Sequence, residues 1–203
     1  RFSASEPGLT LAALGRSSRL GEMTFDMGVA LPTPTSGGSV VTPQGLAAVF
    51  RQHGNPHVRA YADEVAQLGF PNVRGYLTGA VDLVFRWAPA PEAHPRWYVV
   101  DYKTNHLGDD WGDYAAKALP AAMSANHYVL QYHLYAVALH RHLRRVLPRY
   151  AYERDFGGVY YLFVRGMRAE GEAGAGIYHD RPPAALIDAL DELLRDGTKG
   201  ARP

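Results

Sequence analysis

Apolar and polar positions alternate along three stretches of the chain. From Arg19 to Leu31, Leu20, Glu22 and Thr24 interleave with Met23, Phe25 and Met27. A period of two predicts a strand, because successive side chains point to opposite faces. Val81 to Phe85 is apolar except for Asp82, and Trp97 to Val100 is apolar and closes on Asp101. These runs predict a hairpin of residues 73–85 and 96–103. Phe156 to Val164 is almost unbroken in Val, Tyr and Phe after two glycines. That pattern suits a strand covered on both faces.

Helical spacing fills the rest. Thr42 followed by Pro43 reads as a helix start running to about His53. Val58, Tyr61, Val65 and Leu68 predict a second helix over 57–68. A short helix is expected at 112–117. A long one is expected over about 121–146, with Leu130, Leu134, Val137, Ala138, Leu143 and Val146 as its buried stripe. A last helix runs from Pro182 and Pro183 to about Arg195. Pro32 to Gly38, the three-proline stretch 88–95 and the glycine-rich stretch 168–179 read as loops. The fold class is α/β, a small mixed sheet flanked by helices. Residues 1–18 read as a connecting segment with one helical turn around Leu9 to Leu14, 32–72 as a helical insertion, and 198–203 as a tail.

Composition narrows this picture only a little. The chain of 203 residues is 47% hydrophobic, which suits one domain with a sizeable core. It contains no cysteine, which excludes disulfides and thiolate metal sites. A net charge of +1 does not announce a nucleic-acid binder, so any such surface is local. No apolar run is long enough for a membrane helix, and no secretory signal is visible. The chain starts at Arg1 and lacks a phosphate-binding loop. It therefore reads as a fragment of a longer polypeptide in a cytoplasmic setting.

The candidate chemistry sits at the ends of the hairpin strands. Asp101 and Lys103 are two residues apart and share a face. If the runs pair, Asp82 comes beside them. Two carboxylates with one ammonium at their edge suit a hard divalent cation such as Mg²⁺, which takes oxygen ligands and lowers the pKa of bound water. The alternative is an ion pair on the solvent face of an ordinary hairpin. Gly75 and Gly79 before the first strand favour close approach by a ligand or another backbone.

The run Gly75, Gly79 and Asp82, followed by Asp101-Tyr102-Lys103-Thr104-Asn105, resembles the PD-(D/E)xK nuclease fold. More narrowly it resembles RecB-like nuclease domains. Arg19 to Phe25, Tyr128 to Tyr135 and Phe156 to Gly166 carry further likeness. The resemblance implies a restriction-endonuclease-like core, a mixed central sheet flanked by helices, over 19–197. It implies Mg²⁺-dependent hydrolysis of DNA, single-stranded in the first place, within a RecBCD-type helicase–nuclease of double-strand-break repair (exodeoxyribonuclease V type). One or two Mg²⁺ would be held by Asp82, Asp101 and the backbone carbonyl of Tyr102, with Lys103 positioning water. Glu22 is a candidate third carboxylate, with an exposed strand glutamate as the alternative. Gln131 and Tyr135 match the family's glutamine–tyrosine motif and are expected to hold DNA; His106 is a further candidate phosphate contact. RecC-like and RecD-like subunits and a RecA-like recombinase are the implied partners, a nucleoid-associated cytoplasm the implied setting. ATP serves only a motor expected outside this chain.

One departure stands out. RecB-like nucleases carry a metal-binding histidine on a helix before the first core strand, and this chain has none before His53. The expectation is that the fragment begins downstream of that helix, and that the fragment alone is weakly active. The competing classes are a catalytically inactive nuclease-like module and a small-molecule metallohydrolase. The basic stretch His140 to Arg154 reads by default as a solvated helix end, where cations oppose the macrodipole, and otherwise as a phosphate track or subunit contact.

Overall fold

The computed structural model describes residues 8–31, 39–168 and 174–198. The loop expected at 32–38 lies outside the described residues, as do 169–173 and most of the expected tail. The chain forms two compact units, Arg1–Met23 with Ala80–Arg181, and Thr24–Gly79 with Pro182–Pro203.

The mixed central sheet that the resemblance implies is present. Its strands are β1 (Arg19–Val29), β2 (Gly75–Trp87), β3 (Arg96–Lys103), β4 (Phe156–Phe163) and β5 (Ile177–Asp180), in the spatial order β1-β2-β3-β4-β5. β2 and β3 pair antiparallel, β3 and β4 parallel, β4 and β5 antiparallel. A parallel neighbour needs a long crossover. Here it consists of helices α3 (Leu119–Ala125), α4 (Tyr128–Val146) and the short α5 (Tyr152–Asp155).

In the first unit every residue of β4 is buried, as its unbroken apolarity predicts. One face of the sheet contributes Leu83, Phe85, Tyr98, Val100, Tyr160 and Leu162 to a cluster that also takes in Leu9 and Leu14. The expected turn is there as a 3-10 helix at Leu11–Ala13, capped by Thr10. Its flanking leucines belong to the core rather than to a mere connection.

The second unit holds α1 (Pro43–His53), α2 (Pro56–Ala66) and α6 (Ala184–Asp196). Thr42 and Asn55 cap α1 and α2 by accepting from the Gly45 and Val58 backbone amides, and proline follows each cap. α6 packs against α1, a pairing no local pattern announces.

Two expectations fail. The single helix over 121–146 is broken: α3 ends at Ala125, and His127 takes a left-handed φ of 55° before α4 begins. Asn126 supplies the reason, since its side-chain amide donates to the Ala122 carbonyl and closes the first helix. The stretch 168–179 is not all loop, because Ile177 to Asp180 adds β5 to β4.

Candidate active site

Pairing of β2 with β3 runs from Trp87 opposite Arg96 to Leu83 opposite Val100. Continued one step, this register sets Asp82 opposite Asp101, with both side chains on the same face. That face carries Asp82, Val84 and Arg86 from β2 and Trp97, Val99, Asp101 and Lys103 from β3. Of the intervening residues, Leu83, Phe85, Tyr98 and Val100 fill the core cluster on the other face, while Tyr102 is exposed.

The predicted trio meets. Lys103 Nζ lies 2.6 Å from Asp101 Oδ2. Asp82 is exposed and accepts through Oδ2 from the Tyr102 backbone amide at 2.8 Å. Asp101 is only 4% exposed. Burial raises its carboxyl above the ordinary range; Lys103 opposes that rise and the Asp82 charge adds to it.

Lys103 is held on several sides. It donates to Gln131 Oε1 at 3.0 Å and lies 3.9 Å and 5.0 Å from the ring centres of Tyr128 and Tyr161. The Tyr161 hydroxyl donates to the same Gln131 oxygen at 2.9 Å, and Gln131 Nε2 donates to the Tyr135 hydroxyl at 3.0 Å. Burial first, then the charges of Asp101 and Asp82, push the Tyr135 hydroxyl up to about 12. The Gln131–Tyr135 pair thus stands beside the carboxylates. Gln131 spends its carbonyl oxygen on Lys103 and Tyr161.

The turn after β3 is tied to the helix junction. The Tyr128 hydroxyl donates to Asn105 Oδ1, and Asn105 Nδ2 donates to Asn126 Oδ1. His106 points elsewhere, its Nε2 3.1 Å from Asp109 Oδ1 on an exposed turn. Glu22 is exposed on β1 with a φ of 53°. Among the described residues no three His, Cys, Asp or Glu side chains gather at metal-binding spacing, so Glu22 does not join the two aspartates.

Sequence reasoning missed Tyr161. It sits beside Asp101 in the parallel register, yet on the page it is one aromatic among several in a buried strand. Only the pairing of β3 with β4 singles it out.

The residues present fit a hard cation. Two carboxylates, Asp82 and Asp101, stand beside a single ammonium, Lys103, which meets Asp101 Oδ2 at 2.6 Å. One ammonium does not offset both the burial of Asp101 and the neighbouring Asp82 charge, which together raise the Asp101 carboxyl, and a divalent cation would relieve both. Asp82 and Asp101 together offer an all-oxygen donor set.

Residues 38–202 match the family model of the PD-(D/E)XK nuclease superfamily. The chain is similar to the RecBCD enzyme subunit RecB of Escherichia coli (strain K12), 39% identical over 190 residues, 94% of this chain and 14% of that protein. It is 41% identical to the RecBCD enzyme subunit RecB of Mycobacterium tuberculosis (strain ATCC 25618 / H37Rv) over 204 residues, 93% of this chain and 18% of that one. The Haemophilus influenzae subunit of the same name is 47% identical over 127 residues, 63% and 10% of the two chains. The chain thus spans 10% to 18% of the length of these relatives. Among the described residues no helix is long and apolar enough to cross a membrane.

Proposed function

This chain belongs to the PD-(D/E)XK nuclease superfamily, and from that premise we propose that it is the Mg²⁺-dependent DNA nuclease domain of a RecBCD-type helicase–nuclease acting in double-strand-break repair and recombination. The observation that carries the reading is the convergence of Asp82, Asp101 and Lys103 on one face at the end of β2 and β3.

Asp82 and Asp101 would hold one or two Mg²⁺, with the Tyr102 carbonyl as a further oxygen. Bound there, the cation supplies charge for the phosphate and lowers the pKa of a water. Lys103 orients the attacking water and faces the charge that develops on the phosphate. Gln131 acts through Lys103, since its carbonyl oxygen is committed to that ammonium and to Tyr161. Tyr135 keeps its proton at neutral pH and can donate to a phosphate oxygen of the strand. Glu22, exposed on β1 apart from the two aspartates, takes no cation in this reading, and His106 is a contact for a flanking phosphate.

The substrate under this reading is single-stranded DNA delivered by an ATP-driven motor, and the site itself reads little sequence. RecC-like and RecD-like subunits, a RecA-like recombinase and a cytoplasmic, nucleoid-associated setting follow from the RecBCD-type assignment.

The test is Mg²⁺-dependent degradation of single-stranded DNA by a full-length helicase–nuclease carrying this chain, wild type beside Asp101→Ala. Loss of degradation in the variant is expected. Equal degradation by both would eliminate the mechanism, and no degradation by either would leave an inactive nuclease-like module.

A further inference from the structure

The face that carries the carboxylates does not end with them. Arg86 and Trp97 are opposite one another on β2 and β3, four residues from Asp82 and Asp101. Four residues is an even step, so Arg86 and Trp97 lie on the same face, about 13 Å along the strands. α4 follows this face. Its Gln131 and Tyr135 stand at the carboxylate end, while Leu139, His142 and Val146 line a cleft of about 300 Å³ at the other end, together with Arg19, Arg86 and Trp97. A second cleft of about 350 Å³ continues it, sharing Arg86 and Trp97 and adding Arg149, Tyr150 and Arg154.

The charge in these clefts is one-sided. Arg154 is spent on Asp155. Among the described residues no carboxylate pairs with Arg19, Arg86 or Arg149. The Arg86 guanidinium lies 5.9 Å from the centre of the Trp97 ring, and that ring is only partly buried. Unpaired guanidinium groups beside an accessible aromatic face are the chemistry that grips a single strand: cations for the phosphates, flat surfaces for unstacked bases.

We infer that these clefts form a second contact site for the same single-stranded DNA, a track in which Arg86, Arg149 and Trp97 grip the strand while its scissile phosphate lies at Asp82 and Asp101. The inference rests on the nuclease reading for the identity of the strand, and for the path on Arg19, which lines both the cleft at Arg86 and Trp97 and a further cleft at Asp82.

The test is fluorescence anisotropy of labelled oligothymidylates of about 4 and about 16 nucleotides, lengths that span a short and a long single-strand site. They are titrated with the 203-residue chain in EDTA. Wild type should bind the longer strand roughly tenfold tighter or better, through the added phosphate contacts. Arg86→Ala/Arg149→Ala should lose most of that gain and leave the short strand nearly unaffected. Its log–log salt slope on the long strand should be shallower by about 1.4, the value for two lost contacts on single strands. Both arginines are exposed, and melting curves check that the variant is folded. Trp97→Phe should keep the length-dependent gain and Trp97→Ala should weaken it.

Unchanged binding by the double variant overturns the track, and so does an equal loss on both lengths. Polyglutamate binding that depends on the two arginines, with DNA binding unaffected, assigns the clefts to an acidic protein and overturns it too. Binding in EDTA needs no hydrolysis. An inactive nuclease therefore leaves the track testable, and an active one with unchanged binding rejects the track alone.

Discussion

The ammonium of Lys103 lies over the ring of Tyr128, 3.9 Å from its centre. A cation on a ring face is favoured by about 0.5–2 kcal/mol, more as water is excluded. Here the ring fixes where the ammonium points. Tyr128→Leu should lower kcat for DNA degradation roughly 3- to 30-fold with little change in KM. Tyr128→Phe keeps the ring, gives up only the bond to Asn105, and should stay near wild type. Steady-state rates on single-stranded DNA decide the matter; equal losses in both variants would show that the hydroxyl matters and the ring does not.

Gln131 gives one oxygen to two donors, Lys103 and Tyr161. Gln131→Leu should cost about 1–3 kcal/mol of stability, because the buried Tyr161 hydroxyl loses its acceptor. Adding Tyr161→Phe removes the stranded hydroxyl and should recover much of that loss, while the rate stays low because Lys103 still lacks its Gln131 acceptor. Thermal melts and rates on the three variants separate the two effects.

Asp101 makes a prediction about pH and metal together. Burial holds its carboxyl above the usual range, despite Lys103. A carboxyl raised in the folded state contributes stability that is complete below the unfolded value of 3.8 and is lost as pH rises through the folded value. At neutral pH without a cation, ionised Asp101 therefore works against the fold. Asp101→Asn should melt higher than wild type in EDTA, and Mg²⁺ should raise the midpoint of wild type only. A wild type indifferent to Mg²⁺ would count against the donor set.

Asp155 has the opposite sign. Burial pushes its carboxyl up, but Arg154, the Ala151 amide and His94 outweigh that and hold it at about 2. Its stabilising contribution is present above 3.8 and is lost as pH falls from there through about 2. Asp155→Asn should melt below wild type at neutral pH, by on the order of 1–2 kcal/mol. The gap should close as the pH is lowered through that window. A gap that persists unchanged at the acid end would mean the charge is not the cause.

Gly157 lies under the Tyr98 ring, which is stacked on Phe85 with centroids 4.8 Å apart. A Cβ at Gly157 would sit 2.2 Å from that ring. With Tyr98 fixed by its stack, Gly157→Ala should cost about 1–3 kcal/mol or break the β3–β4 packing outright. Urea denaturation of the variant measures it.

Much of this molecule was legible because strands announce themselves with a period of two. The same period put Asp101 and Lys103 on one face and left Asp82 to join them. What could not be read has physical causes. The break at Asn126 and His127 uses neither glycine nor proline, so no helix-breaking residue marks it. β5 is four residues long and exists because β4 offers an edge to pair with. Tyr161 and Leu9 look like generic core residues, since burial alone does not say what a side chain is buried against. The partnership of α6 with α1 joins segments more than a hundred residues apart, beyond the reach of any local pattern.

The even spacing of Asp82 and Arg86 on β2, matched by Trp97 and Asp101 on β3, ties scission and grip to one reading frame of the pleat. Inserting a single residue between Asp82 and Arg86 would turn one of the pair inward among Leu83 and Phe85, whereas inserting two would leave both outward and lengthen the reach between cutting point and handhold. The distance from grip to cut can therefore change only in steps of two residues, about 7 Å at a time.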